Sequence, residues 1–265
     1  MPRPVSIWLS LILLAILVAP ASAQKADPDD PKNAERGAEL IRAAIGARGG
    51  ARYLEFKTLT ATGQYTPFDK GMSTIPAPFI DYIVYPDKER TEFGKKKKDR
   101  RIQVNVGATG WIYDGEVQTL KDQNEKQGRE FLENLEYDLD RLLRGGWKEP
   151  GVKARFAGRE ETRPGERADV VAIQFKQDRT VYLWLDGHTH LPMGLIYERP
   201  DEQGVSKNEV RFAQYVTYDG VKFPNIVDFY RGGVQVSRIN YENIQLNAPI
   251  PEALFAKPAS VKAIK

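Results

Sequence analysis

"YLWLDGHTHLPMGLIYE", Tyr182 to Glu198, is the stretch whose reading decides the fold. It holds both histidines of the chain, His188 and His190, and Asp186 completes an Asp-x-His-x-His spacing that looks like three metal ligands. Ligands at i, i+2 and i+4 share a face only while the backbone stays extended. Here Gly187 follows Asp186 directly and Pro192 lies just past His190, and both are turn signals. "YLWLD" and "MGLIYE" on either side alternate like two paired strands. No cysteine, third histidine or His-x-x-x-His spacing supports a metal site elsewhere. The stretch therefore predicts a hairpin, with no metal and no cofactor.

Similar short runs continue on both sides of it. Strands are expected near 56–66, 78–85, 88–94, 100–106 and 109–113. A second series is expected near 153–158, 169–176, 180–186, 193–199, 208–218, 224–231 and 234–246. "YDGE", "YDG" and "RGG" punctuate them with turn residues. Long helices do not alternate with these runs, so successive antiparallel hairpins are expected rather than a parallel sheet. Two segments read differently. "NAERGAELIRAAIGARGG" repeats Ala34, Ala38, Ile41 and Ile45 at helical spacing and stops at Gly49-Gly50. "EKQGREFLENLEYDLDRLLRGG" sets Phe131, Leu132, Leu135, Leu139, Leu142 and Leu143 on one stripe, predicting an amphipathic helix over 125–144. That stripe suits the concave face of a curved sheet, either as a plug completing the core or as a movable lid. The lid candidates are Phe131, Leu135, Leu139 and Leu142.

The N-terminus has Arg3, an apolar run from Ile7 to Val18 and "APASA" before Gln24, the pattern of a secretory signal peptide. The run is shorter than the roughly 20 apolar residues that span a bilayer. Cleavage after Ala23 leaves a chain without cysteine, so neither a lipid anchor nor disulfides are expected, and a soluble periplasmic protein fits. Removing Arg3 with the leader leaves 38 Lys and Arg against 36 Asp and Glu, a charge of +2. So small an excess argues against a nucleic-acid binder. The predicted organisation is a signal peptide over 1–23, a flexible leader over 24–32, one domain over 33–258 and a tail over 259–265.

No nucleophile elbow, phosphate loop or dinucleotide fingerprint occurs, and Glu160-Glu161 read as a solvated pair, so no catalytic residue is assigned. Lys95, Lys96, Lys97, Lys98, Arg100 and Arg101 form the one biased tract. It reads equally as a solvated hairpin tip, where lysines block strand pairing, or as a surface docking on anionic lipid or an acidic partner. Near a charged membrane each such residue contributes about 1 kcal/mol.

Several of these pieces resemble the LolA-like lipoprotein-carrier superfamily, which includes outer-membrane lipoprotein-sorting proteins. "LIRAAIGARGGARYLEFKTLTATGQY", "YIVYPDKERTEF" and "GATGWIYDGE" carry the first half of the likeness. "YLWLDGHTHLPMGLIYE", "VRFAQYVTYDGVKFPNIVDFYRGG" and "INYENIQLNAPIPEALFAKP" carry the second, so the match spans about residues 34 to 258. The resemblance implies an incomplete antiparallel β-barrel, mainly β, with helices covering a hydrophobic cavity. In the family that cavity holds the acyl chains of a lipoprotein or other amphiphile. The family's lipoprotein carrier has an Arg before the strand-ending Pro that takes part in lid closure; Tyr85 stands there in this chain.

Exposing an acyl chain to water costs about 0.8 kcal/mol per CH₂, so a soluble carrier needs a continuous apolar cavity. The candidate wall residues are Leu59, Ala61, Ile83, Trp111, Tyr113, Trp184, Leu195, Phe212, Val216 and Phe229, with ordinary core packing as the alternative for each. A slip of one residue in register inverts every such assignment. The expected function is a monomeric, non-catalytic carrier of lipoprotein acyl chains or other lipid, with a membrane partner protein possible. The alternative is a sensor or protein-interaction module on the same fold with a filled core.

Overall fold

Alternating apolar and polar residues can bury only one face of a strand, so a chain of such strands must curl or be covered. The computed structural model describes residues 24–264, apart from 28–29, 95, 97, 164, 177–178 and 202–203; the leader expected over 1–23 lies outside the described residues. The strands are β1 (Gln24–Lys25), β2 (Thr58–Asp69), β3 (Met72–Ser73), β4 (Ala77–Val84), β5 (Lys88–Phe93), β6 (Arg101–Val106), β7 (Thr109–Asp114) and β8 (Thr119–Asp122). After an interruption come β9 (Lys153–Arg163), β10 (Glu166–Gln174), β11 (Thr180–Asp186), β12 (Pro192–Asp201), β13 (Gly204–Tyr218), β14 (Val221–Arg231) and β15 (Val234–Leu246).

All of them join one antiparallel sheet in the order β1-β9-β10-β11-β12-β13-β14-β15-β2-β4-β5-β6-β7-β8, with β3 extending β2. The sheet curls without closing, because β1 and β8 end the order without meeting. Bulges at Val170/Val171, Trp184/Leu185, Phe229/Tyr230 and Tyr241/Asn243 add local twist and bend. The fold is the incomplete antiparallel barrel that the sequence predicts.

The first helix, α1 (Pro31–Arg48), begins where Asp30 caps the Lys32 amide at 2.9 Å and Pro31 fits the first turn. Its buried face, Leu40, Ile41, Ala44 and Ile45, packs with Val171, Ile173, Leu183 and Leu185 of the sheet. Gly37 permits that approach: a Cβ there would lie 2.7 Å from the Arg155 backbone. A short helix α2 (Ala51–Glu55), which the sequence does not predict, then leads into β2.

The helix expected over 125–144 is two helices. Asn124 and Gln127 form a reciprocal capping box at the start of α3 (Glu125–Leu135), with both bonds at 2.9 Å. Asp138 then caps the Arg141 amide at 2.8 Å and starts α4 (Leu139–Leu143) in a new direction. An Asp side chain competing for backbone N–H groups is a better cap than a mid-helix residue. Strands β1, β3 and β8 are also additions to the expected set, and β1 lies in the segment expected to be a flexible leader.

A second core lies on the sheet's outer face. Ile102, Val104, Trp111 and Tyr113 pack there with Phe255 and Ile264. The Trp111 indole donates to the Phe255 carbonyl at 2.9 Å, and Arg90 donates to the Leu254 carbonyl at 2.7 Å. The packed chain thus runs to Ile264, past the boundary expected at 258.

Candidate functional site

The inner face of the sheet encloses a cavity of about 1410 Å³. Its apolar wall follows from register. Leu195 pairs with Val210, Val210 with Phe229, Phe212 with Val227, and Leu59 with Ile83, so these side chains share the inner face. Tyr241, Ile239 and Ile244 of β15 complete it. Pro200, Ser206, Arg231 and Val236 line the other end, beside the β12–β13 and β14–β15 hairpins.

A buried polar hub forms the floor. Arg48 of α1, only 1% exposed, donates to Asp140 Oδ1 at 2.5 Å, to the Tyr53 hydroxyl at 3.0 Å and to the Lys222 carbonyl at 3.0 Å. The Tyr53 hydroxyl donates to Asp140 Oδ1 at 2.8 Å, and the Tyr85 hydroxyl to Oδ2 at 3.0 Å. Burial would raise the Asp140 carboxyl, but the Arg48 guanidinium and these hydrogen bonds hold it below the usual carboxylate range. Arg144 lies 4.0 Å from both the Phe56 and Tyr85 ring centroids. Tyr85 thus ties the end of β4 to α4 through Asp140.

Helix α3 crosses the inner side as a strap. At one end Gly128 touches the β6–β7 turn, where a Cβ would meet the Ala108 carbonyl at 1.9 Å. At the other end Arg199 of β12 bonds Asn134 and reaches Glu133 at 3.3 Å, while Arg179 reaches Glu136 at 2.6 Å. The Tyr137 and Tyr197 rings stack with centroids 4.0 Å apart. Lys126, Arg129, Glu130 and Glu133 line the cavity, so the strap turns charge toward it. Leu139 and Leu142 are buried in the main core. Phe131 is buried and Leu135 half-buried on the strap. Residues 139–143 thus act as a plug, and 125–135 bridge the opening.

The wall candidates divide. Leu59, Ile83, Leu195, Phe212 and Phe229 line the cavity. Ala61 is buried in the core beneath the inner face. Four require correction. Trp184 pairs with Gly194 while Leu183 pairs with Leu195, so Trp184 faces outward. Trp111 and Tyr113 lie on the outer face under the C-terminal segment, because Tyr113, Trp111 and Val104 follow the phase of Arg90, not of Ile83. Val216 is solvent-exposed, beyond the irregularity at Gln214, whose φ is 55°. Tyr137, Tyr197 and Arg199 were not legible as site residues, because the strap's crossing leaves no periodic trace.

The inner face of β4–β6 adds a polar patch beside Ile83, Phe79 and Phe93. Asn105 reaches Glu89 at 3.4 Å and accepts from Gln123 at 2.8 Å. Burial raises Asp81 to about 6; burial and then the Asp81 charge raise Glu89 to about 7.

In the basic tract, Arg100 bonds Glu92, and Arg101 pairs with Glu116 at 3.2 Å and Asp114 at 3.5 Å. These two arginines are therefore bound to acids at the ends of β5–β7. Lys96 and Lys98 are exposed, while Lys95 and Lys97 lie outside the described residues.

At the hairpin of the opening stretch, Asp186 accepts from the His188 amide at 3.1 Å and from the Thr189 amide and hydroxyl at 2.7 and 2.8 Å. The His190 amide closes the turn on the Asp186 carbonyl at 2.9 Å. The aspartate thus organises a turn. Among the described residues no three His, Cys, Asp or Glu side chains converge as metal ligands. No helix in that set is long and apolar enough to cross a membrane.

An open antiparallel barrel with helices across its inner cavity defines a class, that of the LolA-like fold. No family model matches the sequence, and no curated protein matches it. Solved structures do. A LolA superfamily protein from Nitrosomonas europaea superposes with a TM-score of 0.55 at 11% identity over 83% of this chain and 97% of that one. A domain assigned to outer membrane lipoprotein sorting, from Vibrio parahaemolyticus, gives 0.56 at 16% identity over 85% and 98%. A DUF1329 family protein from Desulfovibrio piger gives 0.58 at 12% identity over 83% and 97%. At these identities the likeness is one of fold, and the fold is LolA-like.

Proposed function

We propose that the protein is a non-catalytic periplasmic carrier that holds the acyl chains of a lipoprotein or other amphiphile in the barrel cavity. The observation that carries this reading is the cavity itself, whose volume of about 1410 Å³ exceeds the roughly 300–1,000 Å³ of ordinary small-molecule sites. Its apolar side wall of Leu59, Ile83, Leu195, Phe212 and Phe229 suits the long apolar part of such a ligand, and the charged residues of the strap and mouth suit its wet end. The leader read from Arg3 to Ala23 supplies export, and the absence of cysteine agrees with a chain that is not lipid-anchored.

The test is the content of the purified chain. Native mass spectrometry and organic extraction after expression in a Gram-negative host should find bound lipid near one per chain. Replacing Phe212, which is only partly buried, with Arg should empty the cavity while the fold persists by circular dichroism. An empty wild-type cavity that also takes up no added lipid rejects the proposal. One observation favours the alternative of an interaction module: the hub around Arg48 and Asp140 closes the floor of the cavity with buried, mutually bonded polar side chains. Under that reading the same titration finds no lipid at any concentration.

A further inference from the structure

The five most exposed large apolar side chains among the described residues are Ile75 at 87%, Met72 at 69%, Val205 at 68%, Val117 at 64% and Val234 at 47%. Topology brings them together. In an antiparallel sheet successive connections alternate between its two ends. Val205 belongs to the β12–β13 hairpin, Val234 to β14–β15, Met72 and Ile75 to the β2–β4 connection, and Val117 to β7–β8. The registers Arg231↔Val234, Arg199↔Ser206, Ser237↔Pro67 and Asp114↔Thr119 put all of these at one end. The loop over residues 94–100, which carries the lysine run, joins β5 to β6 at the same end. Lys70, Lys96 and Lys98 are exposed there. Among the described residues at this end, Asp69, Asp99, Glu116 and Glu198 are exposed acids, with Glu116 paired to Arg101.

The cavity reaches this rim through Pro200, Ser206, Arg231 and Val236. A protein interface concentrates its apolar anchors in a packed central cluster. These five side chains instead stand on four separate hairpins around a mouth, with lysines between them. Isolated apolar tips of that kind sink into the boundary between headgroups and acyl chains, about 5–10 Å deep. Lysines beside them are drawn to anionic headgroups.

We infer that this rim docks on a bilayer containing anionic phospholipid, with the cavity mouth facing the membrane. The docking surface goes beyond the carrier reading and does not depend on it, since the tips lie outside the cavity. If cargo is lipid, the arrangement lets an acyl chain pass between bilayer and cavity without crossing open water.

The chain's lack of cysteine makes the test direct. Single variants Ile75→Cys and Val205→Cys on the rim, and His188→Cys at the opposite end, are labelled with an environment-sensitive fluorophore. Each is mixed, from Gln24 onward, with vesicles of phosphatidylethanolamine and phosphatidylglycerol, or of phosphatidylcholine alone. Blue-shifted emission is expected at 75 and 205 on the anionic vesicles only, and none at 188. Replacing Lys70, Lys96 and Lys98 with Ser should weaken vesicle binding about a hundredfold. The double change Met72→Ser and Ile75→Ser should weaken it about tenfold. Thermal melts verify that these exposed substitutions leave the fold intact. The inference is overturned if no vesicle binds, if position 188 shifts like 75, or if the rim variants bind unchanged. Capture of an acidic protein with no vesicle binding also overturns it. Lipid extraction is scored separately, so an empty cavity with rim binding intact rejects the carrier and leaves the docking surface standing.

Discussion

Strands β11–β15 and strands β4–β7 belong to one sheet, but they bury opposite faces. On the first wall Leu183, Leu195, Val210 and Val227 point inward to the core and cavity. On the second, Ile102, Val104, Trp111 and Tyr113 point outward, under the C-terminal segment. The inner face of that wall is mixed: Phe79, Ile83 and Phe93 share it with Asp81, Glu89 and Asn105, and these three polar groups are largely enclosed. Alternation along a strand thus fixes which residues share a face; what covers the face fixes which one is dry. The C-terminal segment covers the second wall, held by Lys88–Glu252 and Lys257–Asp122, both at 2.7 Å, besides the Trp111 and Arg90 bonds.

The sharpest way to break this comparison is to truncate one aromatic on each wall. Trp111→Ala leaves a hole in a closed outer core and orphans the Phe255 carbonyl, and should cost about 3–5 kcal/mol in denaturant unfolding. Phe229→Ala borders space that is already open, so it should cost less and fall instead on the amount of lipid recovered. Equal losses of stability at the two sites would mean that the cavity wall is packed like a core.

That asymmetry also sets what the sequence can reveal. The strands, the turns and the curved antiparallel class follow from periodicity and turn residues, both local properties. Leu195, Phe212 and Phe229 were legible as inward-facing for the same reason. Trp184 was not: a large aromatic in an apolar strand invites an inward assignment, while Leu183 and Leu185 on either side take the inward positions and alternation turns Trp184 out. Trp111 and Tyr113 do share a face with each other. Which face is decided by residues 250–264, far along the chain, and nothing local in "GWIYDG" announces them. Asp138 and Asp140 look like solvated positions on one long helix. In the structure one ends that helix and starts the next, and the other anchors Arg48.

A smaller effect separates the walls by pH. Asp81 and Glu89 have folded values near 6 and 7, raised above the usual Asp and Glu values of about 3.9 and 4.3 by burial and, for Glu89, also by the Asp81 charge. Raised carboxyls keep protons that the unfolded chain releases, so their contribution is full below about pH 4 and is lost as pH rises to 7. The double variant Asp81→Asn, Glu89→Gln should therefore be more stable than wild type at pH 8, by about 1–3 kcal/mol. The difference should vanish near pH 4. Substitutions on the first wall, which has no such pair, should leave the slope of stability against pH unchanged. If the double variant keeps the wild-type slope, the inner face of β4–β6 is wet and the contrast between the walls is weaker than drawn.

The smallest expected effect tests the one element that spans both walls. Helix α3 rests on the β6–β7 turn at Gly128 and is clasped to β12 by Arg199 and to the β10–β11 connection by Arg179. Surface ion pairs contribute about 0.2–1 kcal/mol each and weaken with salt. Arg199→Ala with Arg179→Ala should thus barely move the global unfolding midpoint, because α4 stays anchored through Asp140. The local readout should respond more. Amide exchange in 125–135 should quicken while 139–143 stays protected, and added salt should produce a similar change in the wild type. Tyr137→Ala, which removes the stacking on Tyr197, should add to the effect without salt dependence, since that contact carries no charge. If α3 and α4 instead open together, the break at 136–138 is not a hinge, and residues 125–144 move as the single helix that their apolar stripe suggests.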